Sequence, residues 1–529
     1  MQFSLIVTVD CLALSVFIYT LIAFRDHRRR RGLPYPPGPP SWPVIGNLLD
    51  VPKRSPWAAY ADLSKKYGDV VCLRLFGQIV VVLCSLNSVK DLLEKRGELY
   101  ADRPPVPIFE LMDVDWTLPI AKKGRAWREG RRLLDRSLRP GATALHRQLI
   151  EEKTRIFLGQ LLSTPKDFRA HVDLLQGRLI MSLTYGYDLK ENDKIMIPVR
   201  VTGEIMSRLA VPGAALVNHL PFLKHVPSWF PWFTYEPLAG MCRELSQRMK
   251  NEPIDFVKNA MQEGTAIPSL AGEYLQEAEN LDGLERQVTE QIIKDTLGSM
   301  FQDAYVEFEL SAGSDTARFL AGSSMSSLFL ALAIYPEVQK RAQAELDSVV
   351  SRDRLPTSDD KSRLPYIEAM CKELLRWQMV TPMGVPHAST EDDIYKGFFI
   401  PKGSFDAIAR AILHNPKLYP DPETFKPERF LNKEDGTFRD DPTILLAFGA
   451  GKRICPGRHF VDATLFVVIS SVLSVFNVTK AKNKDGNDIP IEVATSVEGR
   501  IAIQPAKFDC SITPRDKVAE DLIKAGVLA

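Results

Sequence analysis

The chain has 529 residues, of which 45% are hydrophobic and 25% charged, the composition of a folded globular protein rather than a disordered or fibrous one. A formal net charge of +1 excludes a global electrostatic pull toward nucleic acid, so any charge-driven partner must meet a local patch. Seven widely spaced cysteines with no C-x-x-C pair exclude a disulfide framework and a structural zinc site.

In chain order, the apolar run Phe3 to Phe24 comes first, interrupted by one charge, Asp10. At helical rise it spans roughly 33 Å, enough for a hydrocarbon core of about 30 Å. No basic residue precedes it, and Arg25, Arg28, Arg29, Arg30 and Arg31 follow, so it reads as an uncleaved anchor rather than a signal peptide. The arginines place the remainder of the chain in the cytosol. Next, Leu33 to Pro43 carries six prolines, which hold the backbone extended as a semi-rigid spacer.

From Asn47 onward helical patterns dominate: Ser55–Lys66, Ala126–Leu138, His146–Leu162, and a very long helix followed by another over Gln287–Val350. Within the last, Ala317–Ala333 is apolar nearly all round and is expected to be buried on every side. The stretch Leu220–Phe233 is aromatic, proline-rich and too broken to span a bilayer; it reads as a segment dipping into the membrane interface. Strand patterns are few and short: Val70–Leu75, Ile79–Leu83, Ile394–Phe399 and parts of 475–505. The expected architecture is mainly α with a small β region. It divides into an anchor (1–24), a basic and proline-rich linker (25–46), one large domain (47–515) and a C-terminal tail (516–529).

The densest chemical signal is Phe448-Gly449-Ala450-Gly451-Lys452-Arg453-Ile454-Cys455-Pro456-Gly457, followed by an apolar helical run from Val461 to Phe476. Two close glycines permit a tight turn. Cys455 then sits just before a helix start, where amide N–H groups and the positive helix end favour a thiolate. A thiolate is what iron ligation requires, and its electron donation promotes O–O cleavage in haem oxygenases. Phe448 could shield the sulfur and Arg453 could pair with a haem propionate. Gly449-x-Gly451 lacks the third glycine of a dinucleotide fingerprint, and Gly451-Lys452 lacks the upstream glycine and following hydroxyl of a phosphate loop.

The pattern F-x-x-G-x-R-x-C-x-G over Phe448 to Gly457 resembles the signature loop of the cytochrome P450 family, and every specified position matches. The resemblance extends over about residues 33 to 510. It implies a single haem domain behind a transmembrane helix, with haem b bound and Cys455 as axial ligand. It implies that Glu373 and Arg376, in Glu-x-x-Arg, join Arg429 of Pro427-Glu428-Arg429-Phe430 in a buried ion network that holds the cysteine loop. Asp315 and Thr316, after Ala312-Gly313-Ser314, would manage protons where oxygen is activated. Trp127 and Arg131, in W-x-x-x-R, and His387, in Val385-Pro386-His387, would approach the haem propionates.

The same resemblance gathers Lys122, Lys123, Arg125, Arg128, Arg132 and Arg458 on the thiolate side, as a patch for an acidic electron donor. The chain carries no flavin or nicotinamide fingerprint, so the implied partner is an NADPH–cytochrome P450 reductase, with cytochrome b5 as a second candidate donor. The proline segment and Pro386-His387-Ala388-Ser389-Thr390-Glu391-Asp392-Asp393 look like those of fungal secondary-metabolite or xenobiotic-oxidising members. The expected reaction is insertion of one oxygen atom from O2 into an apolar terpenoid, polyketide or aromatic, at the endoplasmic reticulum membrane. A haem-thiolate isomerase or dehydratase and a non-catalytic haem- or lipid-binding relative are the competing readings; the Asp315-Thr316 pair argues against the first. One departure stands out. Asp303, Glu307 and Glu309 add charge ahead of the Gly313 motif and Arg318 follows it, which suggests that part of 303–310 is an insertion looped out of the helix.

Overall fold

A computed structural model describes residues 20, 24–51, 56–209, 215–226, 229, 235–306, 323–407, 409–493, 495–496 and 504–528. Helices dominate because the apolar positions recur at helical spacing. In the helix Arg125–Leu138 the buried residues are Trp127, Gly130, Leu134, Ser137 and Leu138, a stripe along one face. The helix Arg147–Ser163 buries Ile150, Thr154, Phe157, Leu158 and Leu161 in the same way. Helices Glu236–Glu263 and Gly283–Val306 are longer. Ser323–Ile334, with Met325, Leu328, Phe329 and Leu332 all buried, is followed after Tyr335 by Pro336–Val349. A proline at the first helical position explains the break, since it cannot continue the preceding helix.

The strands are short. β1 (Val70–Leu75) and β2 (Gln78–Leu83) form a hairpin. β3 is His387–Ser389, and β4 (Asp393–Tyr395) and β5 (Phe398–Ile400) make a second hairpin. Lys396 and Gly397 turn between them with positive φ, so the single strand expected over 394–399 is a hairpin. β6 (Gly403–Ala407) runs parallel to β2 and antiparallel to β3, giving a sheet in the order β1-β2-β6-β3. β7 (Phe476–Lys480), β8 (Thr495–Ser496), β9 (Gln504–Pro505) and β10 (Cys510–Pro514) complete two further small ladders.

One large apolar core joins most helices. A separate cluster lies under the loop around Ile108, Phe109, Met112 and Val114, packed with Met206, Val217, Leu223 and Cys242. The helix Arg458–Val475 is the one described helix long and apolar enough to cross a membrane, and it is a core helix, mostly buried. The expected anchor lies outside the described residues apart from Thr20 and Phe24.

Two segments differ from expectation. The proline segment lies on the domain rather than standing clear of it. Pro37 O accepts from Cys72 N (2.9 Å) and Pro34 O from Phe399 N (2.8 Å). A Cβ on Gly38 would lie 1.9 Å from Cys72 O, so only glycine allows the approach. The C-terminal tail is a helix, Lys517–Leu528, docked through Ala519 and Ile523.

Candidate active site

The loop before Cys455 is shaped by two left-handed glycines, Gly449 (φ +86°) and Gly451 (φ +60°). At Gly451 a Cβ would sit 1.9 Å from the Leu93 carbonyl oxygen, a backbone atom that cannot move aside. The Cys455 N–H donates to Phe448 O (2.8 Å), closing the loop, and the Phe448 ring packs against the main core. The helix Arg458–Val475 begins three residues on, with Val461 N bonded to Gly457 O (2.9 Å). Cys455 itself is partly exposed. Two guanidinium groups grip the loop: Arg131 donates to Ile454 O (2.6 Å) and Arg458 to Cys455 O (3.1 Å). Burial holds Arg131 below its ordinary range, while Asp135 and the Cys455 sulfur act in the opposite direction. The same attraction favours negative charge on the sulfur.

Arg453 is buried, and each of its nitrogens donates to a main-chain carbonyl: Ala101 (2.7 Å), Leu118 (3.0 Å) and Ala121 (2.8 Å). It therefore cross-links the cysteine loop to the 101–121 segment. Burial lowers its pKa to about 10. It stacks 4.0 Å above the Trp127 ring, whose Nε1 is buried with no hydrogen-bond partner. His387 is buried in β3, with Nδ1 3.0 Å from Tyr100 O. Burial first, then Arg103 and Arg453, push its pKa well below the usual value. Since Nδ1 must donate to the carbonyl, Nε2 can donate to a carboxylate only on a doubly protonated ring, a form that an added anion would favour.

Beneath the loop, Glu373 and Arg376 are fully buried on the helix Pro365–Trp377. Arg376 donates to Glu373 through Nε (2.7 Å) and Nη2 (2.9 Å), and also to Leu413 O and Pro422 O. Arg429 Nε (3.3 Å) and Lys426 N (2.8 Å) donate to the same carboxylate. Every charge in the network thus has several partners, the condition under which a buried ion cluster is tolerated. The Arg376 guanidinium also lies over the Tyr419 ring, and Tyr419 OH donates to Asp441 (2.8 Å). Asp441 caps the turn Pro442–Phe448 that leads into Gly449. The network is wired to the cysteine loop through this route.

Trp127, Arg131, Phe448, Arg453 and Cys455 thus share one neighbourhood, with His387 at its edge and Glu373, Arg376 and Arg429 below. Asp315 and Thr316 lie outside the described residues. The backbone of 303–306 continues the helix Gly283–Val306, so those four residues are not looped out; 307–310 lie outside the described residues. The expected basic patch is smaller than its composition suggests. Lys122 pairs with Glu110, Lys123 and Lys452 with Glu98, and Arg125 with Glu129 and Glu285. Among the described residues Arg128 and Arg132, both exposed, have no ion-pair partner.

The sequence reading missed Arg103, a buried guanidinium that donates to Pro119 O, Val385 O (2.7 Å) and Pro386 O (2.7 Å). It also missed His414, whose Nε2 bonds Arg376 O (3.1 Å) and whose Nδ1 bonds Glu423 (2.8 Å). Neither carries a local pattern, because Arg103 donates to main-chain carbonyls and the His414 partners lie 9 and 38 residues away.

The residues present fit a haem. The orphaned indole N–H of Trp127 lies on the ring that the Arg453 guanidinium covers, with Arg131 one turn further along the same helix, a donor set suited to a carboxylate. A cavity of about 840 Å³ lined by His146, Lys153, Met261 and Ile267 includes none of these residues.

Comparison with known proteins agrees with this chemistry. The family described as Cytochrome P450 matches residues 36–504. Cytochrome P450 monooxygenase COX1 of Coprinopsis cinerea is 37% identical over 97% of this chain and 97% of its own. Cytochrome P450 monooxygenase 208 of Postia placenta is 37% identical over 95% of this chain and 94% of its own. Tryptamine 4-monooxygenase of Psilocybe cyanescens is 33% identical over 95% and 97%. A cysteine loop of this shape and a family match along most of the chain lead to one conclusion: the protein belongs to the cytochrome P450 family, as a monooxygenase whose cofactor is haem b.

Proposed function

We propose that Cys455, as a thiolate, would hold the iron of the haem and that the enzyme oxidises an apolar organic molecule, a terpenoid, polyketide or aromatic. The observation that carries this reading is the loop geometry: two left-handed glycines, the Cys455–Phe448 closure and two arginine contacts to loop carbonyls hold the partly exposed Cys455 just before a helix start. Haem, when bound, supplies oxygen activation and transfer of one oxygen atom, the other leaving as water. The protein does the rest. Arg131 and Arg458 stabilise negative charge at the sulfur, and Phe448 limits its hydration. Trp127 Nε1, Arg131, Arg453 and His387 hold the haem carboxylates. Glu373, Arg376 and Arg429 keep the loop rigid. Asp315 and Thr316 are the proton-handling pair, through a carboxylate and a hydroxyl. An aromatic substrate is supported by the relative whose name assigns it the 4-position of tryptamine.

Electrons come from a separate NADPH–cytochrome P450 reductase, with Arg128 and Arg132 as its contact points and cytochrome b5 as an alternative donor. Residues 1–24 anchor the protein in the endoplasmic reticulum membrane, with the 47–515 domain cytosolic. The exposed side chains Trp42, Val44, Leu49, Phe222 and Trp229 support a surface resting on lipid. The test is the carbon monoxide difference spectrum of the reduced protein, followed by turnover with NADPH and reductase. A thiolate-type band that disappears in Cys455→His, with oxygen- and NADPH-dependent product, is the expected result. A colourless protein, or a band retained by the variant, refutes the assignment.

A further inference from the structure

One partly buried charge cluster on the cysteine helix has no place in the scheme above. Asp462 lies in the second turn of the helix Arg458–Val475, about 6 Å along the axis from its first residue. Its carboxylate receives two ammonium groups from two other elements. Lys361, from the turn Ser358–Arg363, donates to Oδ2, and Lys372, from the helix Pro365–Trp377, donates to Oδ1 at 2.6 Å. Lys361 also faces Glu368 (3.6 Å) and lies 5.8 Å from the centre of the Phe466 ring, one turn beyond Asp462. The three side chains are only 19% to 31% exposed. Burial opposes ionisation of Asp462, and the lysines more than offset it, keeping its pKa below the ordinary carboxylate value.

Lys372 is the residue before Glu373. One helix therefore holds the cysteine loop from below, through Glu373 and Arg376, and the cysteine helix from the side, through Lys372. The loop passes into that helix without a break, through Arg458 to Cys455 O and Val461 N to Gly457 O. A shift of the first two turns reaches the sulfur directly.

We infer that Asp462 is a positioning residue for the cysteine ligand: clamped by Lys361 and Lys372, it fixes the height and tilt of the helix start and so the alignment of the Cys455 sulfur with the haem iron. The inference rests on Cys455 being the ligand. Loss of the clamp leaves haem bound but lets the sulfur move, so that it takes up a proton more readily.

The test uses the full chain loaded with haem. It follows the rate at which the reduced carbon monoxide complex passes from the thiolate-type band to the thiol-type band on mild warming, beside haem content and global unfolding. Asp462→Asn is expected to keep its haem and speed this passage about tenfold or more, since both ammonium contacts lose their counter-charge. Asp462→Glu should restore it to within about threefold, and Lys361→Met with Lys372→Met should reproduce the asparagine variant. An unchanged rate overturns the inference. So does a rate that rises only in step with global unfolding, which marks a merely structural residue. If the parent protein shows no thiolate-type band, the ligand assignment and the clamp fall together; if it does and Asp462→Asn behaves as the parent, only the clamp falls.

Discussion

Replacing Glu373 is the sharpest perturbation of the framework behind the cysteine loop. Its carboxylate has no exposure and receives four N–H groups: two from Arg376, one from Arg429 and one from the backbone of Lys426. In Glu373→Ala the fully buried Arg376 keeps its bonds to Leu413 O and Pro422 O but loses its counter-charge. Breaking a buried pair from one side costs about 3–5 kcal/mol. Against a total stability of about 5–15 kcal/mol, that is a large share. Glu373→Gln keeps the volume but turns an NH2 toward other donors, so about 3 kcal/mol of the loss remains. Because the network reaches Gly449 through Tyr419 and Asp441, the loss falls first on the cysteine loop. The assay is haem per protein after purification, together with denaturant unfolding. Both variants are expected to retain little haem and to unfold at lower denaturant. A Glu373→Gln protein with full haem and a parental midpoint refutes the reasoning.

Gly451→Ala should abolish haem binding, since its Cβ meets the Leu93 carbonyl at 1.9 Å in a left-handed backbone; absorbance of the purified protein reads this directly. Trp127→Phe keeps the stacking surface beneath Arg453 but removes the orphaned N–H, so haem should dissociate about tenfold faster, measured by transfer to apomyoglobin. Asp360 accepts from Arg354 (2.8 and 2.9 Å), Arg363 and Thr357 N (2.9 Å), with its side chain 2% exposed. The Arg354 hydrogen bonds first hold its pKa below the ordinary carboxylate value of 3.8. A depressed folded-state pKa gives stability that is full above the unfolded value and lost as pH falls through the folded one. Asp360→Asn should therefore cost about 2 kcal/mol at neutral pH, with the difference from the parent shrinking only below pH ~4. A gap that stays constant down to that range argues against the ion pairs as its source.

Local chemistry was the part of this protein most open to reading from its sequence. Gly449, Gly451, Arg453 and Cys455 lie within seven residues of one another, so spacing alone carries the loop. The hairpin of β1 and β2 and the stripe of Trp127, Gly130 and Leu134 follow from period and apolarity. Contacts between distant residues were not legible. Lys361 and Asp462 are about a hundred residues apart and each looks like an ordinary surface charge. Arg103 bonds carbonyls at 119, 385 and 386, atoms that every residue possesses. The docked C-terminal helix did leave a trace, apolar Ala519, Leu522 and Ile523 at helical spacing, in a segment expected to be a plain tail. The basic residues near 122–132 were visible, but their acidic partners Glu98, Glu110 and Glu285 come from other elements.

The seat of Pro34 to Pro40 on the sheet decides where this enzyme can be shortened. β1 is an outer strand, and its Cys72 N–H is capped by Pro37. Upstream, Arg29 grips Asp392 and Tyr35 donates to Asp26 (2.5 Å); downstream, Asn47 donates to Pro39 O and Pro40 O, so the cover is fastened on both sides. Trimming to Ser41 would leave Arg74 and Leu75 covered by Asn47 and Gly46 but free the Cys72 N–H, opening that end of the strand to the next molecule and inviting clumping. A shortened version should start no later than Asp26, keeping the strap that shields the sheet.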